Sequence, residues 1–186
     1  MPFGTWWRGD SLPNLAPLPT FTAHTSTDIP LIAQLANISE QEVEHRIQRG
    51  NRPYIAFVDE IPTAYGWVAT RSSGIKELQF SFTIPSGNLY LWDFLTLPQW
   101  RGRGIYPHLL QAIIQQEQQE QAAERFWIGY EPHNETSAHS IKKAGFHVVC
   151  EIVVARDRVV GLTLFDASDH AQASADFFQL PVITEL

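Results

Sequence analysis

The segment of residues 95–110 constrains the fold of this chain more than any other stretch. An apolar run ends at Pro98, a short loop with Gly102 and Gly104 follows, and leucine and isoleucine then recur at helical spacing over residues 109–114. This order of patterns predicts a strand, a glycine turn and a helix. The remaining elements have to be arranged around that unit.

A helix that begins at a glycine turn is suited to binding an anion. Its first turn carries backbone N–H groups without a partner inside the helix, and the helix dipole adds partial positive charge there. Pro107 fits the first turn, since its missing N–H has no role at that position. Arg101 and Arg103 add two permanent charges. We therefore predict a loop that binds phosphate or pyrophosphate.

The spacing of the glycines narrows the choice of ligand. A dinucleotide-binding loop needs a third glycine where this chain has Pro107, and a Walker loop needs a Gly-Lys-Ser/Thr sequence that is absent. Residues 99–104, Gln-Trp-Arg-Gly-Arg-Gly, fit the pattern Gln/Arg-x-x-Gly-x-Gly/Ala instead. With Ile105 next, the segment resembles the loop that binds the pyrophosphate of acetyl-CoA in the GNAT N-acetyltransferase superfamily.

A second motif agrees with the first. It resembles the later GNAT motif, an Asn-led helix that ends in Lys-x-Gly-Phe, and it follows the first motif in the family's usual order. The resemblance covers about residues 27–165 and says nothing about either end. The matching residues of the second motif are Asn134, Ser137, Lys143, Gly145 and Phe146.

The resemblance implies an α+β (α/β) chain with the GNAT acyl-CoA N-acyltransferase fold. Its central sheet is mixed, mostly antiparallel and splayed at the cofactor strand, with about four helices. It implies acetyl-CoA as co-substrate and transfer of acetyl to a primary amine of a small molecule or peptide by direct attack. By position, the implied cofactor-binding residues are Leu95, Thr96, Leu97, Gln99, Arg101, Gly102, Arg103, Gly104, Ile105, Tyr106, Asn134, Ser137 and Lys143.

Two carboxylates are candidates for the base that deprotonates the amine. Asp93 is the only acid in an otherwise apolar strand, and it lies two residues before Leu95, so both share one side of the pleat. A buried carboxylate is costly unless it is paired, which makes the position unusual. Asp93 is alternatively the partner of an arginine or a loop cap. Glu131, at the end of the following strand, is the second candidate and is alternatively a surface residue.

The chain departs from the family pattern at the proton donor. The family often has a tyrosine four residues before the glycine of Gly145-Phe146, and Ile141 stands there. Because isoleucine cannot donate a proton, a non-catalytic acyl-CoA-binding module is the alternative function. A longer acyl donor is a third possibility that keeps the fold. The acceptor is not specified by any motif, and the excess of acidic residues favours a basic amine.

Composition excludes several other classes of function. A net charge of −7 over 186 residues argues against nucleic acid as a partner. No run of 18 apolar residues and no signal-peptide pattern is present, so we expect no membrane partner. A single Cys150 suits the cytoplasm. The seven histidines form no metal-binding spacing, so no metal is predicted.

The length predicts one domain over residues 1–186. Residues 1–20 are rich in proline and tryptophan, and we expect a strap that packs over a body of residues 21–165. Residues 166–186 read as a loose tail with one apolar piece, which docks on the body or on a second subunit of a homodimer. A helical crossover should make the strands on either side of the glycine loop parallel, within an otherwise antiparallel sheet.

Overall fold

A computed structural model of the protein describes residues 1–183, and residues 184–186 lie outside that description. The described part contains ten strands and five helices. The strands are β1 Pro2–Trp7, β2 Phe21–Thr25, β3 Asn51–Val58, β4 Ile61–Ala69, β5 Ser72–Ile75, β6 Phe80–Thr83, β7 Asn88–Thr96, β8 Arg125–Gly129, β9 His147–Ala155 and β10 Arg158–Leu164. The helices are α1 Ile29–Ala36, α2 Glu40–Gln48, α3 Ile105–Gln121, α4 Glu135–Lys143 and α5 Asp169–Phe178.

Eight of the strands form one sheet in the order β10-β9-β1-β8-β7-β4-β3-β2. Every neighbouring pair is antiparallel except β7 and β8, which are parallel and joined by α3. The parallel pairing runs only from Asn88 opposite Arg125 to Leu91 opposite Ile128. Beyond Leu91, β7 continues to Thr96 without β8 beside it. The predicted mixed sheet, splayed at the cofactor strand, is confirmed.

The prediction of an N-terminal strap is wrong for the first third of residues 1–20. Pro2–Trp7 is a strand inside the sheet, paired with β8 on one side and β9 on the other. Phe3 and Trp6 are buried to 0% and 2% exposure in the two cores that flank the sheet. Sequence patterns missed this strand because it is buried on both faces, so hydrophobic alternation does not mark it.

The C-terminal tail is also more ordered than predicted. Asp169–Phe178 is a helix whose N-cap is Ser168, and the Ser168 hydroxyl accepts the N–H of Ala171 at 3.2 Å. Phe177 and Phe178 pack on Trp127 and Phe3 of the body, with the Trp127 and Phe177 rings stacked at 4.4 Å. The apolar piece therefore docks on this chain's own sheet, and the predicted total of about four helices becomes five.

Two short helices precede β3, and a side chain caps the N-terminus of each. The Asp28 carboxylate accepts the N–H of Leu31 at 3.0 Å, and the Ser39 hydroxyl accepts the N–H of Glu42 at 3.1 Å. The β5–β6 hairpin forms a separate two-stranded sheet between β4 and β7. Its first strand, Ser72–Ile75, has only one buried residue and so no readable pattern.

The sheet separates two layers of helices. α3 and α4 cover one face, where Leu109, Ile113 and Ile141 pack against Leu91 and Phe126. α1 and α2 cover the other face around a core that includes Ile32, Val43 and Trp67, and α5 covers a further part of it. Among residues 1–183, no helix is long and apolar enough to cross a membrane. Different helices therefore lie on the two faces of the sheet at the point where β7 and β8 diverge.

Candidate active site

A cleft of about 960 Å³ lies where β7 and β8 diverge. The end of β7, the glycine loop, the start of α3 and one face of α4 form its walls. Most residues that the sequence assigns to the cofactor line it together, although they come from three segments. They are Leu95, Thr96, Arg101, Gly102, Gly104, Ile105, Tyr106, Asn134, Ser137 and Lys143.

Backbone N–H groups without acceptors lie at the glycine loop. Gly104 is the N-cap of α3, and no side chain caps the helix. Within residues 1–183, the N–H groups of residues 102–106 donate to no protein oxygen, whereas the N–H of His108 reaches the Gly104 carbonyl at 3.4 Å. These N–H groups can therefore donate hydrogen bonds to a ligand.

The two glycines of the loop have backbone conformations that other residues rarely adopt. Gly102 has φ +76° and Gly104 has φ +77°. A Cβ on Gly102 would meet nothing within 4 Å, and one on Gly104 would come no closer than 3.8 Å to His108. Glycine is favoured at both positions because a positive φ strains residues with a Cβ, and not because neighbouring atoms leave no room. The space beside Gly102 is open toward the cleft.

The two arginines of the loop are placed differently. Arg101 lines the cleft, and its Nε donates to the Thr96 carbonyl at 3.1 Å. Arg103 lies outside the cleft lining and its guanidinium stacks on the Trp100 ring at 4.8 Å. Both side chains are solvent-exposed. Gln99 is exposed in a short 3₁₀ turn and is also outside the cleft lining.

Backbone groups at the end of β7 are only partly available to a ligand. Leu97 donates its N–H to the Thr63 carbonyl of the β4 side at 2.9 Å, and Leu95 pairs with Tyr65 on that side. Because alternate residues of a strand direct their backbone groups to opposite edges, Thr96 faces the gap that β8 has left. Of the three predicted edge residues, Thr96 is the one with its backbone toward the gap.

Helix α4 contributes polar groups to the opposite wall. Asn134 is its N-cap, and the Asn134 side-chain oxygen accepts the N–H of Ser137 at 2.9 Å, which leaves the amide NH₂ free of that role. Tyr106 lies beside Ser137 and packs on Phe94 at 5.4 Å between ring centroids. Burial raises the pKa of the Tyr106 phenol to about 12, against a lowering by Ser137, so it stays protonated at neutral pH. Ile141 is fully buried in the core.

Asp93 does not occupy the buried position that the sequence predicts. Asp93 and Phe94 together oppose Gly66, so β7 carries a β-bulge, and Asp93 has φ +50°. A Cβ on Gly66 would lie 2.0 Å from the Phe94 ring, so glycine is required opposite the bulge. The Asp93 side chain is 32% exposed. The expectation of a buried carboxylate is wrong because the bulge breaks the strand's alternation.

The Asp93 carboxylate is held by an arginine, as the alternative interpretation anticipated. Arg46 of α2 approaches it at 2.5 Å and also donates to Glu42 at 3.1 Å. The Arg46 guanidinium contacts two indole rings on the same side, Trp67 at 5.1 Å and Trp92 at 4.6 Å from the ring centroids. Stacking and two carboxylates fix the guanidinium, and this in turn fixes Asp93 at the bulge.

The Tyr65 hydroxyl donates to the other Asp93 oxygen at 3.3 Å. Burial of Tyr65, together with the negative charge of Asp93, raises the pKa of the phenol to about 12. The phenol therefore remains a proton donor to Asp93 over the neutral pH range. Asp93 is thus a partly exposed carboxylate with both oxygens engaged.

A second, smaller cleft of about 310 Å³ lies on the α2 face of the sheet, and Arg46 and Trp92 line it. Its other walls come from the end of α2 and the β5–β6 hairpin. Arg49 and Lys76 also line it, and neither forms an ion pair within residues 1–183. The lining is therefore more cationic than the chain as a whole.

Glu131 lies apart from both clefts. It is exposed in the turn after β8, where its carbonyl accepts the N–H of Asn134 at 2.9 Å. The alternative interpretation of Glu131 as a surface residue describes this position. Sequence reasoning missed Arg46 and Phe94, for which only the tertiary contacts at the bulge give a signal.

The fold and this cleft together define the class of protein. Free N–H groups at a helix N-terminus beside an opening in the sheet are suited to binding a phosphate. The model of the acetyltransferase (GNAT) family matches residues 21–146. The chain belongs to that family.

Solved structures share the fold at low sequence identity. AAC(6')-Ib in complex with acetyl-CoA is 18% identical, with a TM-score of 0.56 over 75% of this chain and 89% of that chain. The ribosomal-protein-S5-alanine acetyltransferase from Vibrio fischeri is 14% identical, with a TM-score of 0.52 over 71% of this chain and 82% of that chain. These values show a common fold and leave the acceptor open.

Two further matches are longer proteins. A GNAT-family protein from Novosphingobium aromaticivorans is 16% identical, with a TM-score of 0.53 over 79% of this chain, which spans 59% of that chain. The match to a GCN5-related N-acetyltransferase from Kribbella flavida covers 53% of the length of that protein. No curated protein matches the sequence.

Proposed function

We propose that the protein transfers acetyl from acetyl-CoA to a primary amine of a small molecule or peptide by direct attack. The observation that carries this proposal is the row of unpartnered N–H groups at residues 102–106, at the mouth of a cleft that leads to the gap beside β7. A diphosphate on those groups would direct the pantetheine arm along the free edge of β7. The thioester would then lie near the bulge at Asp93. This bulge is also accessible from the face of the sheet that α2 covers.

The cofactor is held in this proposal by the residues that line the larger cleft. The loop N–H groups and Arg101 bind the diphosphate, because N–H donors and a guanidinium complement its charge. Thr96 offers its backbone to the pantetheine amides, although Arg101 already uses its carbonyl. The Asn134 NH₂ group and Ser137 contact the arm from α4, and Lys143 adds positive charge to that wall.

The chemical step needs a neutral amine, an accessible carbonyl carbon and a proton for the leaving thiolate. We assign Asp93 as the base that accepts a proton from the ammonium group, directly or through water. The amine nitrogen then attacks the thioester carbon, the C–S bond breaks, and the nitrogen releases its surplus proton to solvent, so the products are the N-acetyl amine and CoA. Glu131, exposed in its turn, is the weaker candidate for the same role.

Tyr106 is our candidate for the proton donor that Ile141 cannot be. Its phenol lies in the cleft between Phe94 of the bulge and Ser137 of α4, and it is protonated at neutral pH. After the C–S bond breaks, it would donate its proton to the thiolate and recover one from solvent. Replacement by phenylalanine keeps the packing and removes only the hydroxyl.

We further propose that the amine acceptor carries an anionic group. The second cleft reaches the bulge through Arg46 and Trp92, and its rim presents Arg49 and Lys76 without ion-pair partners in the described chain. A carboxylate or phosphate on the acceptor would pair with these cations while its amine points toward Asp93. This local charge argues against the basic acceptor that the overall composition favours.

The test of transfer is release of CoA thiol from acetyl-CoA in the presence of a panel of amines. We expect turnover with at least one amine and a fall of kcat by about 10²- to 10⁴-fold in Asp93→Asn. Gly104→Trp should abolish turnover, because the indole would cover the loop N–H groups. Tight binding of acetyl-CoA without turnover on a broad panel would contradict transfer and favour the acyl-CoA-binding module.

The test of the acceptor class compares each amino acid or amino phosphate in the panel with its uncharged amide or ester. We expect a lower KM for the anionic member of each pair, and a KM raised about 2- to 5-fold in Arg49→Gln and Lys76→Gln for that member only. Arg158→Gln, on the far edge of the sheet, is the matched loss of one charge and should leave KM unchanged. Equal KM values within the pairs would refute the anionic acceptor while leaving acetyl transfer intact.

A further inference from the structure

Three side chains from distant parts of the sequence converge outside both clefts. They are Asp10 in the turn after β1, His147 at the start of β9 and His170 in the first turn of α5. Each offers one ligand atom, and these atoms all lie within 4.8 Å of one another. No spacing motif connects them, because they lie in three separate segments that meet only after folding.

The contacts inside this group are already those of a half-formed coordination site. His170 Nε2 lies 2.9 Å from Asp10 Oδ2, and His147 Nε2 lies 3.9 Å from the same oxygen. In a tetrahedral site with metal–ligand bonds near 2.0–2.1 Å, neighbouring ligand atoms are about 3.3 Å apart. One of these distances is slightly shorter and the other slightly longer, and all three ligand atoms lie within 4.8 Å of one another, so shifts of up to about 1.5 Å reach that geometry.

The surroundings hold two of the three side chains in place. Asp10 is 16% exposed, and its Oδ2 also accepts the N–H of Trp7 at 2.8 Å. His170 is 23% exposed and stacks on the Trp7 ring at 4.2 Å between centroids. His147 is 59% exposed, so its ring is free to turn toward the other two. A backbone donor that orients a carboxylate is the kind of support that ligands of bound metals have.

We propose that Asp10, His147 and His170 bind one divalent transition-metal ion, with Zn²⁺ as the best fit. Two imidazoles and one carboxylate are ligands that Zn²⁺ accepts, and the open side toward solvent leaves room for water as the fourth ligand. Imidazole coordinates a metal ion in its neutral form, through the lone pair of one ring nitrogen.

A metal at this position would join three separate pieces of the fold. It would tie the turn after β1 to the start of β9 and to the C-terminal helix α5. β1 is held between β8 and β9 by backbone pairing, and His170 of α5 contacts Asp10 and Trp7 beside the turn that follows β1. The expected role is therefore to stabilise the folded chain and not to take part in acetyl transfer.

The experiment is a titration of metal-free protein, without a polyhistidine tag, by Co²⁺ and then Zn²⁺ at pH 7.5. We expect one Co²⁺ per chain with the visible absorption bands of a tetrahedral site, displacement by one Zn²⁺, and a melting temperature raised by about 5–10 °C at 100-fold excess over Kd. Asp10→Asn and His147→Ala should abolish the bands. Asp10→Asn keeps an oxygen for the Trp7 N–H, so folding can be verified by its melting curve.

His24→Ala is the matched control, since His24 lies on β2 at the opposite edge of the sheet and stacks on Phe57. It should bind Co²⁺ and Zn²⁺ as the wild-type protein does. Three outcomes overturn the proposal: Zn²⁺ binding weaker than about 100 µM, binding that survives in both Asp10→Asn and His147→Ala, or loss of binding in His24→Ala. In those cases the cluster is a His–Asp ion pair only.

Discussion

Replacement of Gly102 by alanine separates the two roles that this glycine has. The first role is conformational: φ is +76°, where a residue with a Cβ costs about 1–2 kcal/mol. In a chain of this length, that loss lowers the melting temperature by about 2–8 °C. This strain is present with and without ligand, so by itself it leaves the Kd for CoA unchanged.

The second role concerns the ligand. A Cβ on Gly102 meets no protein atom within 4 Å, and Gly102 lines the larger cleft, so the methyl group would stand where the diphosphate approaches the N–H groups. Loss of one charge-assisted hydrogen bond costs about 1.5–3 kcal/mol, which raises the Kd for CoA about 10- to 150-fold. Calorimetric titration with CoA measures this change, and thermal melting measures the change in stability.

Gly9→Ala is the matched control for this substitution. Gly9 has φ +103°, and a Cβ there also meets nothing within 4 Å, but it lies in the turn after β1 and outside the cleft. We expect comparable destabilisation and an unchanged Kd. A Gly102→Ala protein that loses stability but binds CoA within twofold of the wild type would refute the diphosphate position.

Three further predictions concern buried polar groups. Glu117→Ala should lower the free energy of unfolding by about 3–5 kcal/mol in urea titration, because the 1%-exposed carboxylate pairs with Arg52 and accepts the Tyr54 hydroxyl at 2.9 Å; a loss below 1 kcal/mol would contradict this. Burial raises the pKa of Tyr106 from 10 to about 12, so its contribution to stability is complete below pH 10 and is lost as the pH rises to 12. Tyr106→Phe should flatten that part of the curve of stability against pH. An unaltered slope would contradict the burial of the phenol. Burial also raises the pKa of the Cys150 thiol to about 11, so iodoacetamide at pH 8 should label it only after unfolding in urea, and rapid labelling of the native protein would disprove its burial.

The bulge at Asp93 shows why the catalytic side was harder to predict than the cofactor side. From the sequence, the orientation of Asp93 is predicted by counting residues along a strand whose side chains alternate between two faces. In the structure, Gly66 on the neighbouring strand leaves room for the Phe94 ring, and the strand gains an extra residue at that point. A bulge depends on what two strands do together, and counting along one strand does not reveal it.

The ends of the chain show the same limit. Pro2–Trp7 reads as an irregular segment because both of its faces are apolar and prolines follow, yet it fills a place in the sheet between β8 and β9. Its partners lie more than 100 residues away, so no local pattern identifies them. The cluster of Asp10, His147 and His170 is a consequence of that placement, and the histidine spacing in the sequence gives no sign of it.

By itself, the sequence determined the glycine loop, the helix that follows it and the parallel pair of strands that this helix joins. Those features depend on neighbouring residues: free N–H groups at a helix start, glycine at positive φ, and a crossover of fixed length. Tertiary structure alone decided where β7 bends, which arginine holds Asp93 and how β1 and α5 complete the sheet and its core. Long-range packing sets those features, because each requires apolar or charged partners from segments that meet only after folding.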